Sequence, residues 1–154
     1  MLPITDNRLL SFLTSEKENL IADWTEKIIV SEDDPYKEKI SKNAERMYAV
    51  ILSVFSKTSE ELEEHIQELA FMVGEERVRA DINIGDFVYN VNSGRSVLYK
   101  HLHKMNMEWT EMQKAINSIN YCFDTFLYYA VSYYNEQKNK IIEEKNQFID
   151  STHK

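Results

Sequence analysis

Two arginines stand where an apolar side chain is expected. Arg77 follows Val73 by one helical turn and precedes Ala80 by three residues, and Arg95 lies between Val91 and Leu98. A guanidinium on a buried stripe must meet an anion or a strong acceptor, because an unpaired buried charge costs several kcal/mol. The chemistry on offer is anion binding, and two arrangements satisfy it. In the first, Arg77 pairs with an acid close in sequence, Glu76 or Asp81, and Arg95 carries its charge to the helix edge on its apolar stem. In the second, one of the two faces a cavity and holds a carboxylate head group or an inorganic ion. Arg95 is the stronger candidate for that role, since its own segment offers no obvious acid.

Other reactive residue types lack the company that chemistry requires. His65 and His101 flank the apolar runs Leu62–Leu69 and Leu98–Leu102, His103 faces the other way, and His153 lies in the tail. No two histidines are four residues apart and no cysteine accompanies them, so no metal site is expected. A single histidine can ligate haem iron, which leaves a haem globin that senses or carries a diatomic gas as an alternative reading. The one cysteine, Cys122, cannot form an internal disulfide; within an aromatic run it reads as a small core residue. Glycine-rich phosphate loops, nucleophile elbows and metal-ligand motifs are missing. The many carboxylates fall at solvated helical positions, where i, i+4 pairs such as Glu136 and Lys140 are routine. Catalysis is not expected. A net charge of −8 also argues against nucleic acid, whose recognition needs a basic footprint.

The elements that must position the arginines are helices. Three glycines and two prolines in 154 residues, with 43% hydrophobic and 29% charged residues, indicate an all-α fold with a real core, organised as one domain over residues 1–154. Thr5 or Asp6 is placed to cap a short first helix ending near Leu13. Ser15 with Glu18 forms a capping box for a second helix through Trp24 and Ile28. Asp34-Pro35 reads as an N-cap followed by proline at the first helical position, opening a third helix that runs to about Ser56 with Val54 and Phe55 inward. Thr58 with Glu61 caps a fourth helix, which Gly74 loosens before its end near Asp81. Asp86 is placed to cap a fifth helix through Val91, Leu98 and Leu102.

From Met107 to about Asp150 one very long helix is predicted, with residues 151–154 as a frayed tail. Met112, Ile116, Ile119, Phe123, Phe126, Ala130, Tyr134, Ile141 and Phe148 mark its apolar repeat. Such a helix is roughly 65 Å long, against a diameter near 40 Å for a compact body of this size. It meets a second subunit or serves as a stalk. Tyr121, Phe123, Phe126, Tyr128, Tyr129, Tyr133 and Tyr134 spread over most of its circumference, the pattern of a buried helix. No segment is long and apolar enough to span a bilayer, and Met1–Leu13 lacks the basic flank of a signal peptide. A cytoplasmic location is expected.

Taken together, several features resemble the non-haem globin sensor domains of Gram-positive spore-formers. They are the short first helix, the second helix carrying Trp24, Gly74-Glu75-Glu76-Arg77, the Ile82-Asn83-Ile84-Gly85-Asp86-Phe87 turn into a helix, and the long terminal helix. The chain is similar to stressosome regulator N-terminal domains, and more so to a sporulation histidine kinase sensor domain and its plasmid-encoded sporulation-inhibitor homologues. The resemblance implies a globin-like bundle of about six helices without haem, and a homodimer built from the last two helices. It also implies a hydrophobic tunnel for a fatty acid, with a chloride-containing chamber. Combined with the apolar stripes, it points to Arg95, Arg77, Phe87, Val91, Phe123, Phe126 and Leu127 as ligand-binding residues. No phosphoacceptor helix or ATP-binding domain is expected after the long helix. A sensor of this kind inhibits sporulation signalling by competing for the ligand of a homologous sensor histidine kinase, or by contacting that kinase.

Overall fold

A computed structural model describes residues 7–152. Among them are six α-helices: α1 (Asn7–Ser15), α2 (Lys17–Lys27), α3 (Ile40–Leu52), α4 (Ser59–Ala80), α5 (Ile84–Leu102) and α6 (Trp109–Thr152), with short 3-10 turns at Lys37–Lys39 and Ser53–Phe55 and no strand. α6 is the central column. α4 packs along much of its length, α5 flanks it, α2 crosses α5, and α3 closes the bundle between α2 and α4. The core joins Leu20 and Trp24 of α2, Met47 and Ile51 of α3, Leu62, Ile66 and Val73 of α4, Phe87, Val91 and Leu98 of α5, and Ile119, Phe123 and Phe126 of α6.

Local chemistry sets the helix ends. Thr58 Oγ1 accepts from the Glu61 N–H at 3.2 Å, the expected N-cap bond, and donates to Glu61 Oε1 at 2.9 Å, so the carboxylate meets the cap hydroxyl where a full capping box has it meet the cap N–H. α4 then runs unbroken through Gly74, where a Cβ would lie 3.0 Å from Tyr133 Cδ1; the glycine serves close approach of α6, not loosening. Asp81 ends α4 in the left-handed region, φ 51°, which a short polar side chain tolerates, and its carboxylate pairs with Lys138 of α6.

Four boundaries differ from the sequence reading. The Ser15–Glu18 box does not form. Ser15 Oγ instead donates to Phe12 O, and α1 passes into α2 with one residue between them, its backbone bonds carried through Glu16. α2 stops at Lys27, and Ile28 is extended, ψ 132°. Asp34 caps no helix: its Oδ1 accepts from the Tyr36 N–H at 2.8 Å in a local turn, and α3 starts only at Ile40, leaving Val54 and Phe55 half-buried in a 3-10 turn. Asn83, not Asp86, caps α5, its Oδ1 accepting from the Gly85 N–H at 2.7 Å. Thr5, Asp6 and His153 lie outside the described residues.

α6 has 44 residues, about 66 Å. It begins at Trp109, and Ser151 and Thr152 continue it where a frayed tail is expected. Its aromatic girdle is not buried all round: Phe123, Phe126 and Tyr134 are buried, whereas Tyr128 is 68% exposed. Ile141 and Phe148 do not reach the core, and residues 139–152 are exposed throughout. No helix among the described residues is long and apolar enough to cross a membrane.

Candidate functional site

A cavity of about 430 Å³ opens between the end of α2, the connection that follows it, α3, the second half of α4 and the first half of α5, with Phe126 of α6 at its floor. That is within the size range of small-molecule sites, about 300–1,000 Å³. Its wall is apolar and buried: Trp24, Met47, Val73, Phe87, Val91 and Phe126. Exposed Ile29, Val30, Ser31 and Asp33 form the rim.

One crossing shapes this wall. The Trp24 indole lies flat against α5 over Gly94, where a Cβ would stand 2.5 Å from Cζ2 and 2.8 Å from Cδ2. Only glycine admits the ring, and the ring's Nε1–H then donates to the Asn90 carbonyl at 2.8 Å. The Asn90 amide clamps the rim, accepting from the Ile29 N–H and donating to the Ile29 carbonyl, both at 2.8 Å. This satisfies backbone groups that an extended segment leaves open.

Polar residues share the lining, among them Asp34, Asn43, Arg77, Asp81, Asn83, Asp86 and Asn90. Arg77 Nη1 donates to Asp34 Oδ2 at 2.6 Å, the two side chains being 9% and 2% exposed. Arg77 Nη2 is buried and has no partner. Beside it, Asn43 Nδ2 donates to Glu76 Oε2 at 2.8 Å. A buried guanidinium with a free Nη2 among the cavity-lining residues can donate to an anion.

Four of the seven residues singled out from sequence line the cavity: Arg77, Phe87, Val91 and Phe126. Arg95, Phe123 and Leu127 do not. Arg95 spans to α6, where its Nη1 donates to Asp124 Oδ1 at 2.8 Å and Asn120 Oδ1 at 3.1 Å, with its guanidinium carbon 5.3 Å from the Phe123 ring centre. The acid missing from its own helix comes from another. Phe123 is buried behind the wall, 6.3 Å from Trp24, and Leu127 is half-buried. Arg77 pairs with neither Glu76 nor Asp81, since these are engaged by Asn43 and Lys138. Asp34, Asn43, Met47 and Asn90 belong to the cavity and were not visible as such. Asp34 carried a signal that pointed to a helix cap, and Met47 one that pointed to the inward stripe of the third helix.

His101 is buried between two carboxylates, with Nδ1 3.2 Å from Glu16 Oε2 and Nε2 2.7 Å from Asp23 Oδ2. The bond from His101 holds the Asp23 carboxyl below its ordinary value. Burial pushes the Cys122 thiol up to about 12. No histidine or cysteine is among the residues lining the cavity, so none there is placed to ligate a haem iron.

A sequence model described as "Histidine kinase N terminal" matches residues 6–136. The chain belongs to the histidine kinase N-terminal family. The protein pXO2-61 of Bacillus anthracis is 34% identical over 130 residues, covering 84% of this chain and 94% of that relative. The crystal structure of the sporulation inhibitor pXO2-61 from Bacillus anthracis matches with a TM-score of 0.76 at 32% identity, over 84% of this chain and 97% of that one. The resemblance to sporulation kinase sensor domains thus holds at the level of family, and the family match ends at residue 136, near where α6 leaves the body.

Proposed function

We propose that this chain is a non-catalytic sensor domain that binds a fatty acid in the cavity and restrains sporulation signalling. The observation that carries this reading is Arg77: a buried guanidinium with an unpartnered Nη2 in the lining of a cavity whose buried wall is apolar. A ligand carboxylate answers the open Nη2, and a hydrocarbon tail fills the wall between Trp24, Met47, Val91 and Phe126. In this reading a chloride ion takes the same place at Arg77 when no head group is bound. The likeness to a sporulation inhibitor supports the biological direction. In this reading the protein acts as a homodimer in the cytoplasm, and withdraws ligand from a homologous sensor histidine kinase or contacts that kinase directly.

The test is thermal. Protein stripped of lipid and titrated with C14–C18 fatty acids should melt at a temperature that climbs with ligand concentration, because a ligand that binds only the folded state stabilises it by mass action. At one hundred times Kd the gain is about 2.7 kcal/mol. A melting temperature indifferent to every acid in that range would defeat the proposal. Mass spectrometry of lipid extracted from freshly purified protein would identify the natural occupant.

A further inference from the structure

The arginine in the cavity lining is already held by an anion of the chain itself. Asp34 and Arg77 both line the cavity, and their contact is direct at 2.6 Å. Asp34 uses only one edge of the guanidinium and leaves Nη2 buried without an acceptor. The residue sits in the connection between α2 and α3, which is anchored at its start by Asn90 on Ile29. Further on, its backbone bonds are local: the Asp34 N–H donates to the Ser31 carbonyl at 3.0 Å, and the Lys37 N–H to the Asp34 carbonyl at 3.2 Å. Asp34 on Arg77 is the buried tie between this connection and α4; Tyr36 adds an exposed contact with Arg79.

A ligand carboxylate that binds arginine end-on through two parallel bonds needs both Nη groups. Asp34 occupies one. Two carboxylates on one buried guanidinium would leave a net negative charge against an apolar wall, which is strongly unfavourable. From this geometry we infer that Asp34 is a tethered competitor for the ligand site. Binding of a carboxylate at Arg77 displaces Asp34, and residues 31–39 are released from α4. Asp34 thereby sets the affinity threshold of the site and turns occupancy into a change at the surface. Tail length acts on the wall alone, so only a ligand bearing a carboxylate works the latch. The inference rests on the fatty-acid reading above and adds its regulation.

The experiment compares lipid-stripped wild type with Asp34→Asn, using tetradecanoate and tetradecan-1-ol as probes. Asparagine keeps the shape and an acceptor oxygen but removes the competing charge. Calorimetric titration should show tetradecanoate binding about tenfold or more tighter to the variant, the scale of one charge-assisted hydrogen bond, with the alcohol unaffected by the substitution. In wild type, saturating tetradecanoate should speed tryptic cleavage after Lys37 and Lys39, and the alcohol should not. Equal or weaker tetradecanoate binding by a folded Asp34→Asn protein overturns the latch while leaving the ligand reading intact. Cleavage of saturated wild type at the unliganded rate does the same, and decides the matter alone if the variant fails to fold. No binding by either protein overturns the ligand reading and the latch with it.

Discussion

Arg77 and Asp34 stabilise the fold only as a pair. Removing one partner leaves a buried charge without its counterion, a loss of about 3–5 kcal/mol, whereas replacing both with apolar groups of similar volume is often neutral or better. Arg77→Met alone is therefore expected to be severely destabilised, and Arg77→Met with Asp34→Leu to recover most of that loss in urea denaturation. The double variant should also bind fatty acid about tenfold or more weakly than wild type. Two additive losses of stability would contradict the pairing. Neither partner was legible from residue types alone. Reasoning at i, i+3 and i, i+4 finds acids next door, while the acid for Arg77 comes from 43 residues earlier and that for Arg95 from 29 residues later. What could be read was the need for a partner, since two guanidinium groups on apolar stripes announce one. Asp23 offers a pH test with a definite sign. A carboxyl whose folded pKa is depressed contributes stability that is complete above its unfolded value and lost as pH falls through the folded one. The excess melting temperature of wild type over Asp23→Asn should hold at neutral pH and shrink below about pH 4.

Between elements, the α2–α5 crossing sets the cavity. Gly94→Ala forces a methyl into the Trp24 ring, and neither the packed indole nor the helix backbone can yield cheaply. Overpacking of this kind costs about 1–3 kcal/mol, and the shift of Trp24 should weaken fatty-acid binding along with it. A Gly94→Ala protein with wild-type melting and affinity would show that this contact does not shape the wall. The helices themselves were readable wherever their signals are short-range. Thr58 and Glu61 meet within one turn, and Thr58 caps α4 as the spacing says. Asp34-Pro35 has the same local appearance, yet one oxygen of Asp34 is taken by the next turn and the other by α4, so tertiary pairing overrides the local signal. Asn83 and Asp86 are both able caps three residues apart, and composition alone could not choose between them. The cavity was only half legible because its rim is irregular chain. Ile29, Ser31 and Asp33 follow no helical repeat, and periodicity is silent about them.

For the molecule as a whole, α6 carries more apolar surface than one subunit covers. Tyr128, Ile142, Phe148 and Ile149 are 68%, 54%, 69% and 49% exposed, and Tyr128, Ile142 and Ile149 are spaced at multiples of seven, the interval of a coiled-coil seam. Tyr129 and Tyr133 of the aromatic girdle donate their hydroxyls to Glu63 and Glu75 of α4 in the same subunit. The proposed homodimer is therefore expected to depend on Tyr128. Light scattering at micromolar concentration should give twice the chain mass for wild type and a shift toward the monomer for Tyr128→Glu. A monomeric wild type would end the dimer proposal.

The overhang has a mechanical consequence. Lys138, paired with Asp81, is the last α6 side chain with such a tie to the body, and residues 139–152 extend about 21 Å beyond it at 1.5 Å per residue. An α-helix of that length behaves as a rod, bending only gently over tens of ångströms. Phe126, on the cavity floor, stands on the same rod. A tilt of α6 by about 10° around its seat would carry the tip sideways by about 4 Å, close to the width of a side chain. A lever of this kind delivers motion at a distance without transmitting it through any intervening contact, so displacement at Thr152 would be a geometric readout of how the floor of the chamber is set.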